Sequence, residues 1–349
     1  MRILHLLPSD KYSGAENVVC QIISFFRNDK NFEMIYCSPD GDIRTALLDR
    51  GVSFSPVKEF SALAIKKKIK EIQPDIIHAH DMKASVIAAF VAGHTPIVSH
   101  IHVNNCDTRG ISIKAVLFYF AAIKARHIFW VSRSSYEEYL FHKSLKWKSE
   151  ILMNIINIQD LQIKADEDNK QYPYDIVYLG RLSAQKNPIR LMKIVHGIVQ
   201  KYPKVRVAVI GNGDLFDEVN VKAKEYKIDS NIDFLGFIRN PYKIVQNAKL
   251  MLMTSLWEGT PMCALEAMSL GVPIVSTPVD GMCDLVENGK TGILSDNDEA
   301  LVDACYNIII NTKYQHNLSV ASFNRAKSIM NIDIYKARIM KVYQDIIYS

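Results

Sequence analysis

The 349-residue sequence lacks any uninterrupted apolar run of the ~18 residues that a membrane-crossing helix needs. Its longest candidate, Ala115 to Ile123, is bounded by Lys114 and Lys124, so no membrane span is expected. No CxxC pair occurs. The six cysteines (Cys20, Cys37, Cys106, Cys263, Cys283 and Cys305) are scattered without metal-ligand spacing. Five of them lie within or beside apolar runs, and buried, reduced thiols are expected rather than a disulfide framework or a zinc ribbon. Excess charge is also scarce: 42 Lys+Arg against 37 Asp+Glu leave +5, which argues against nucleic acid as a partner. With 48% hydrophobic and 23% charged residues, disorder and collagen-like structure are excluded as well. Met1-Arg2-Ile3 leads straight into Leu4-His5-Leu6-Leu7, too short for a signal segment, and Pro8-Ser9-Asp10 follows, so a cytoplasmic location is expected.

What is present is length and rhythm. The chain exceeds the roughly 250 residues at which a single core stops growing, which implies two domains. Short apolar runs alternate with helix-like segments throughout, the pattern of parallel sheets covered on both faces. In the first half, strands are expected at 2–7, 33–37, 76–78, 97–102 and 127–131. In the second half they are expected at 175–180, 205–211, 232–235, 250–254, 273–276 and 292–294. The polar, acidic, proline-ended stretch from Ala165 to Pro173 reads as a linker. The expected plan is α/β: a Rossmann-like domain 1–165, a linker 166–172, a second Rossmann-like domain 173–328, and a C-terminal helix within 329–349 that packs back on the first domain.

The richest segment runs from Thr254 to Met268. Thr260 is a natural N-cap with Pro261 at the first helical position, while Gly271 and Pro273 supply the stop. The free N–H groups of Met262 and Cys263 then point out of the positive end of a helix, a seat for an anion. Glu258 in the preceding loop and Glu266 inside the helix flank that seat. A second anion site is suggested where an apolar strand ends at Gly180 and is followed by Arg181 and Lys186, with Asn187 and Pro188 opening a helix. Arg181 can fork onto a phosphate and Lys186 can act as a point charge. Open α/β sheets bind ligands at such strand ends.

Other features are weaker. Gly211-Asn212-Gly213 follows a strand, but Phe216 stands where a dinucleotide fingerprint needs its third glycine. Ser13-Gly14-Ala15-Glu16 opens a helix after a strand, either as a phosphate turn or as a plain connection. His100 and His102 share one face of a strand end. Asp40/Asp42, Asp166/Asp168 and Asp296/Asp298 mimic a metal-binding pair, but each lies in a turn or linker without a nearby histidine, and no metal is expected.

Together, Glu258 to Glu266 as E-x7-E, Gly180-Arg181 with Lys186 as G-R-x4-K, and the sequel Leu265 to Met268 with Gly271 to Val275 resemble a family 4 retaining glycosyltransferase of the GT-B fold. Ser13 to Glu16 and Pro74-Asp75-Ile76-Ile77-His78-Ala79-His80 resemble that family's N-terminal glycine loop and P-D-[IV]-[IV]-H-x-H strand, so the resemblance covers nearly the whole chain. It implies two Rossmann-like domains facing across an interdomain cleft. It also implies that Arg181 and Lys186 hold a nucleotide diphosphate, Glu266 takes the ribose hydroxyls, and Glu258 and His102 lie by the donor sugar. Gly14, Gly211, Gly259, Thr260, Pro261, Met262 and Cys263 complete the expected donor site. The implied reaction moves a sugar from a nucleotide-sugar, a UDP-hexose or UDP-N-acetylhexosamine, to a glycan or lipid-linked glycan in cell-surface polysaccharide synthesis. No cofactor or metal is expected, and an anionic membrane surface is a further expected partner. Ile155 in Met153-Asn154-Ile155-Ile156-Asn157 replaces a glycine common in the family. A sugar-nucleotide epimerase or phosphorylase of the same fold, or a non-catalytic sugar-nucleotide-binding subunit, would share much of the pattern.

Overall fold

The computed structural model describes residues 1–103 and 106–348. Its contacts divide the chain into two compact units, Met1–Asn154 with Ile332–Ser349, and Ile155–Asn331.

Unit 1 carries six parallel strands: β1 (Arg2–Leu6), β2 (Glu33–Cys37), β3 (Ile76–His80), β4 (Ile97–Ile101), β5 (His127–Trp130) and β6 (Ser149–Ile151), in the order β2-β1-β3-β4-β5-β6. The central strands β3 and β4 are buried along their whole length because helices cover both faces. The expected strands reappear with ends shifted by a residue or two. β6 was not expected: three half-buried residues carry too little apolar pattern to announce a strand. The C-terminal helix Ile332–Tyr348 belongs to this unit and packs on the helix Gly14–Phe26. Arg338 there donates from Nε to Glu150 Oε1 at 2.5 Å, and Lys336 pairs with Asp29 at 3.3 Å.

Unit 2 carries β7 (Ile176–Leu179), β8 (Val207–Ile210), β9 (Ile232–Gly236), β10 (Leu250–Met253), β11 (Ile274–Ser276) and β12 (Gly292–Leu294), all parallel, in the order β12-β11-β10-β7-β8-β9. Its core is aliphatic, with Leu191, Ile194, Val195 and Ile198 of the helix Pro188–Lys201 among its fully buried members. Each unit is thus a Rossmann-like α/β layer structure.

The boundary between the units is not the expected linker. The chain crosses between them at Asn154 and Ile155, and the helix Ile158–Asp166 already packs within unit 2, against the helices Tyr242–Asn247 and Met262–Ser269. Asn157 caps that helix, its side chain accepting from the N–H groups of Gln159 and Asp160. The polarity of 165–173 reflects an exposed helix end and loop. The cysteine reading also needs correction. Cys20, Cys37 and Cys305 are buried, Cys263 is half-buried and Cys283 is exposed, its short helix Gly281–Leu285 turning that side outward. Cys106 lies outside the described residues in this respect.

Candidate functional site

The C-terminal ends of β7, β8 and β10 gather the loops that carry the site residues of unit 2. After β7 and β8 the backbones run in van der Waals contact: Gly180 N–H donates to Ile210 O at 3.0 Å and Leu182 N–H to Asn212 O at 3.0 Å. A Cβ at Gly211, where φ is +131°, would meet Gly180 O at 2.0 Å, and one at Gly213 would meet Leu182 O at 2.3 Å. The Gly211-Asn212-Gly213 motif is therefore a device for close backbone approach. The loop 181–187 is similarly laced to the loop after β10. Thr254 Oγ1 donates to Asn187 O at 2.9 Å, Leu256 N–H to Gln185 O at 2.8 Å, and Gln185 Nε2 to Trp257 O at 3.0 Å.

This lacing brings Lys186 against Glu258, Nζ to Oε1 at 2.5 Å, with side chains only 15% and 5% exposed. Burial by itself lowers the pKa of Lys186, but the adjacent Glu258 carboxylate outweighs it and raises the pKa, so the lysine is firmly charged. Ser255 Oγ donates to the same Glu258 oxygen at 2.6 Å, and the Glu258 N–H donates to Asp280 Oδ2 at 2.7 Å. Asp280 itself sits at φ 43°, a strained position for a side-chain-bearing residue. Neither Ser255 nor Asp280 was singled out from sequence; the Asp280-Gly281 step just before a helix was the available signal.

The helix Met262–Ser269 follows. Its N-cap is Pro261 in extended conformation, so it starts one residue later than the Thr260 cap expected from sequence; proline's fixed φ suits either position. Met262 and Cys263 remain the residues whose N–H groups have no acceptor in their own helix. Burial pushes the Cys263 thiol up to about 12, so it contributes backbone rather than nucleophile. Glu266, 7% exposed, has its carboxyl raised to about 7 by burial, against a hydrogen bond from Tyr242 Oη at 3.3 Å that favours the charged form. Arg181 is exposed and, among the described residues, makes no ion pair. Asn187 does not cap the next helix with its side chain. It takes the left-handed conformation that closes the turn Ala184–Lys186, and Pro188 begins the helix.

Two family models match in tandem, Glycosyl transferases group 1 over residues 160–325 and Glycosyl transferase 4-like over residues 13–129. The chain belongs to the family 4-type GT-B glycosyltransferases. Among relatives of this glycosyltransferase, the UDP-Gal:alpha-D-GlcNAc-diphosphoundecaprenol alpha-1,3-galactosyltransferase of Escherichia coli is 25% identical over 386 residues, covering 100% of this chain and 98% of that one. The lipopolysaccharide 1,6-galactosyltransferase of Salmonella typhimurium is 25% identical over 91% of this chain and 92% of its own. An uncharacterized glycosyltransferase of Methanocaldococcus jannaschii is 27% identical over 66% of each chain. Among solved structures, HepE of Anabaena in complex with UDP and glucose superposes with a TM-score of 0.84, covering 99% of this chain and 100% of that one at 20% identity, a likeness of fold.

Within the glycosyltransferase, the structure brings Arg181, Lys186, Gly211, Glu258, Gly259 and the helix start 260–263 to one end of the unit 2 sheet, with Glu266 a turn into the helix. Gly14 and His102 belong to unit 1. At the start of the helix Gly14–Phe26 the buried Glu16 carboxylate accepts from the Ser13 N–H at 3.1 Å and from Ser13 Oγ at 2.5 Å, a local cap of the helix start. His102 lies just beyond β4, 6% exposed, its N–H held by Asp81 Oδ1 at 2.8 Å. His100 is fully buried deeper in the sheet face and reaches no surface. The acidic pairs serve local structure: Asp40 binds Arg44, Asp168 accepts from Tyr172, and Asp298 pairs with Arg190 and Lys193.

Proposed function

We propose that this glycosyltransferase is a retaining enzyme that moves a hexose or N-acetylhexosamine from a UDP-sugar to a glycan or lipid-linked glycan, without a metal. The carrying observation is the buried Lys186–Glu258 pair beside the start of the helix Met262–Ser269. In the free chain each charge neutralises the other. When donor binds, the diphosphate gives Lys186 an anionic partner and the sugar hydroxyls donate to Glu258, so the pair exchanges partners without stranding a buried charge. Arg181 forks onto the diphosphate, the N–H groups of Met262 and Cys263 point at it, and Glu266 accepts from the ribose hydroxyls.

As the bond from the anomeric carbon to the phosphate oxygen breaks, negative charge develops on UDP. The fixed cations and helix N–H groups stabilise it, each donor contributing on the order of a hundredfold in rate. The acceptor hydroxyl attacks on the face the diphosphate leaves, and its proton passes to the departing phosphate oxygen. No protein base is then required. The relatives named for galactosyl transfer to a diphosphoundecaprenol-linked sugar and to lipopolysaccharide support a lipid-linked or glycolipid acceptor.

A peripheral place on an anionic membrane, at the cytoplasmic face, fits the same reading. Residues 61–148 hold 13 Lys+Arg against 6 Asp+Glu. Among the described residues, no helix is long and apolar enough to cross a membrane.

The test is a panel of UDP-glucose, UDP-galactose and UDP-N-acetylglucosamine with glycolipid acceptors, with the product's anomeric configuration read by NMR. Retention, with a rate unaffected by excess chelator and lowered about a hundredfold or more by Arg181→Ala, is expected. An inverted product, metal-dependent turnover or acceptor-independent sugar release would reject this reading.

A further inference from the structure

Glu258 is held by loops from three neighbouring strands of unit 2. Its Oε1 receives Lys186 Nζ at 2.5 Å from the loop after β7 and Ser255 Oγ at 2.6 Å from its own loop after β10. Its backbone N–H donates to Asp280 Oδ2 at 2.7 Å, in the loop after β11. The sheet order β11-β10-β7 sets the Glu258 loop between the other two. The β11 side is tied once more, Thr277 Oγ1 donating to Ser255 O at 2.7 Å. Two of the three holds fix the carboxylate, and the third fixes the backbone that carries it.

Asp280 makes that third hold from an unfavourable conformation. Its φ of 43° and ψ of −124° lie in the mirror-β region, which glycine enters freely and a residue with a Cβ does not. It also stands at the N-cap of the helix Gly281–Leu285, where an aspartate ordinarily accepts from the first N–H groups of its own helix. Here the carboxylate makes no cap bond and turns to Glu258 instead. Both features count against the stability of the loop, and backbone strain of this kind persists where a functional group has to be placed. An aspartate that served only the fold would cap its own helix, and a residue that served only the turn would be glycine.

We propose that Asp280 is a positioning residue for sugar transfer: by holding the Glu258 N–H it sets where the Glu258 carboxylate meets the donor sugar. The proposal rests on the reading above that places Glu258 at that sugar; the strained contact itself does not. In that reading Lys186 turns to the diphosphate when donor binds, so the carboxylate gives up one of its two holds at the step where its placement matters. The hold of Asp280 on its backbone remains. A misplacement of about 1 Å at a reacting centre can cost on the order of a hundredfold in rate.

The experiment compares Asp280→Asn, Asp280→Ala and Asp280→Gly in the full chain, by calorimetric Tm without ligand and by kcat and KM for the UDP-sugar the panel selects. Asparagine keeps an acceptor oxygen and tolerates positive φ better than other side chains, so its kcat should stay within about threefold of wild type. Alanine loses the acceptor and keeps the strain; Tm should fall, and kcat should drop roughly tenfold or more with KM changed less than about threefold. Glycine loses the acceptor but relieves the strain, so its Tm should exceed that of Asp280→Ala while its kcat stays as low. A residue that only stabilised the loop would move kcat and Tm together. Where Asp280→Ala does not fold, the asparagine and glycine variants decide. Turnover restored in Asp280→Gly, turnover in Asp280→Asn as low as in Asp280→Gly, or a raised KM at unchanged kcat would overturn the positioning role. Full turnover by Glu258→Gln would instead overturn the placement of Glu258 at the sugar, with the order of Tm among the Asp280 variants left intact.

Discussion

Glu258 and Glu266 lie eight positions apart in sequence, yet burial gives them different chemistry. Glu258 shares its charge with Lys186, so Glu258→Gln leaves a buried ammonium with no partner. Breaking such a pair costs about 3 to 5 kcal/mol. The expected outcome is a marked drop in Tm that saturating UDP largely reverses, with nucleotide still bound and sugar transfer cut; unchanged Tm in calorimetry would show that the pair does not carry charge in the folded chain. For Glu266, burial outweighs the hydrogen bond from Tyr242 and the charge of Lys164, and its carboxyl is raised to about 7. Because this folded-state value exceeds the ordinary 4.5, the folded chain holds the extra proton between about pH 4.5 and 7, and stability falls as pH rises through that window, by up to about 3 kcal/mol. Glu266→Gln should flatten that fall in a pH series of urea denaturations. In the donor placement proposed above, ribose hydroxyls donate to the carboxylate and favour its charged form, so UDP binding to wild type should release a proton near pH 6 and tighten toward pH 7. Calorimetry in two buffers of different ionisation enthalpy measures this, and equal apparent enthalpies would contradict it.

Elements show how much of each pattern was local. The helix Ile113–Lys124 buries Ala115, Phe118, Ala121 and Ala122, while Ile113, Leu117, Phe120 and Ile123 form an exposed stripe, Ile113 at 82% and Phe120 at 63%. Packing makes this segment a helix with a second apolar face turned to solvent, edged by Lys114 and Lys124. If that face meets anionic lipid, Phe120→Ser with Ile123→Ser should reduce cosedimentation with anionic vesicles by about tenfold or more, since each buried apolar side chain contributes about 1.5 to 3 kcal/mol. High salt should weaken binding of wild type further, through the basic residues around it. Equal sedimentation of both proteins, or indifference to lipid charge, would exclude the surface. The strand ends behaved differently. Thr260 and Pro261 were legible as a helix start, but which of them forms the cap depends on ψ at Pro261, which the residue types leave free; Asn187, read as opening a helix, closes a turn instead, and the close approach at Gly211 came only from the structure.

At the scale of the whole molecule, the C-terminal helix Ile332–Tyr348 is far in sequence from the sheet it completes. It supplies Tyr335, Ile339, Val342 and Tyr343 to unit 1, with Tyr343 beside Phe26 and Phe32. A chain ending at Asn331 should therefore lose stability in unit 1 alone. Calorimetry should show an early transition that UDP does not move and a later one that UDP raises, by about 2.7 kcal/mol at a hundred times its dissociation constant; loss of both transitions together would show that the units do not unfold separately. By itself the sequence determined the α/β alternation, the two-unit plan and the loops bearing Arg181, Lys186, Glu258 and Glu266, because apolar periodicity, glycines and helix caps act over a few residues at a time. Only the tertiary structure decided the crossing at Asn154, the pairing of Lys186 with Glu258 and the joining of His5, His80 and His102. Those depend on strand order and register, which bring residues up to 75 positions apart within hydrogen-bond distance and set the burial that tunes their charge.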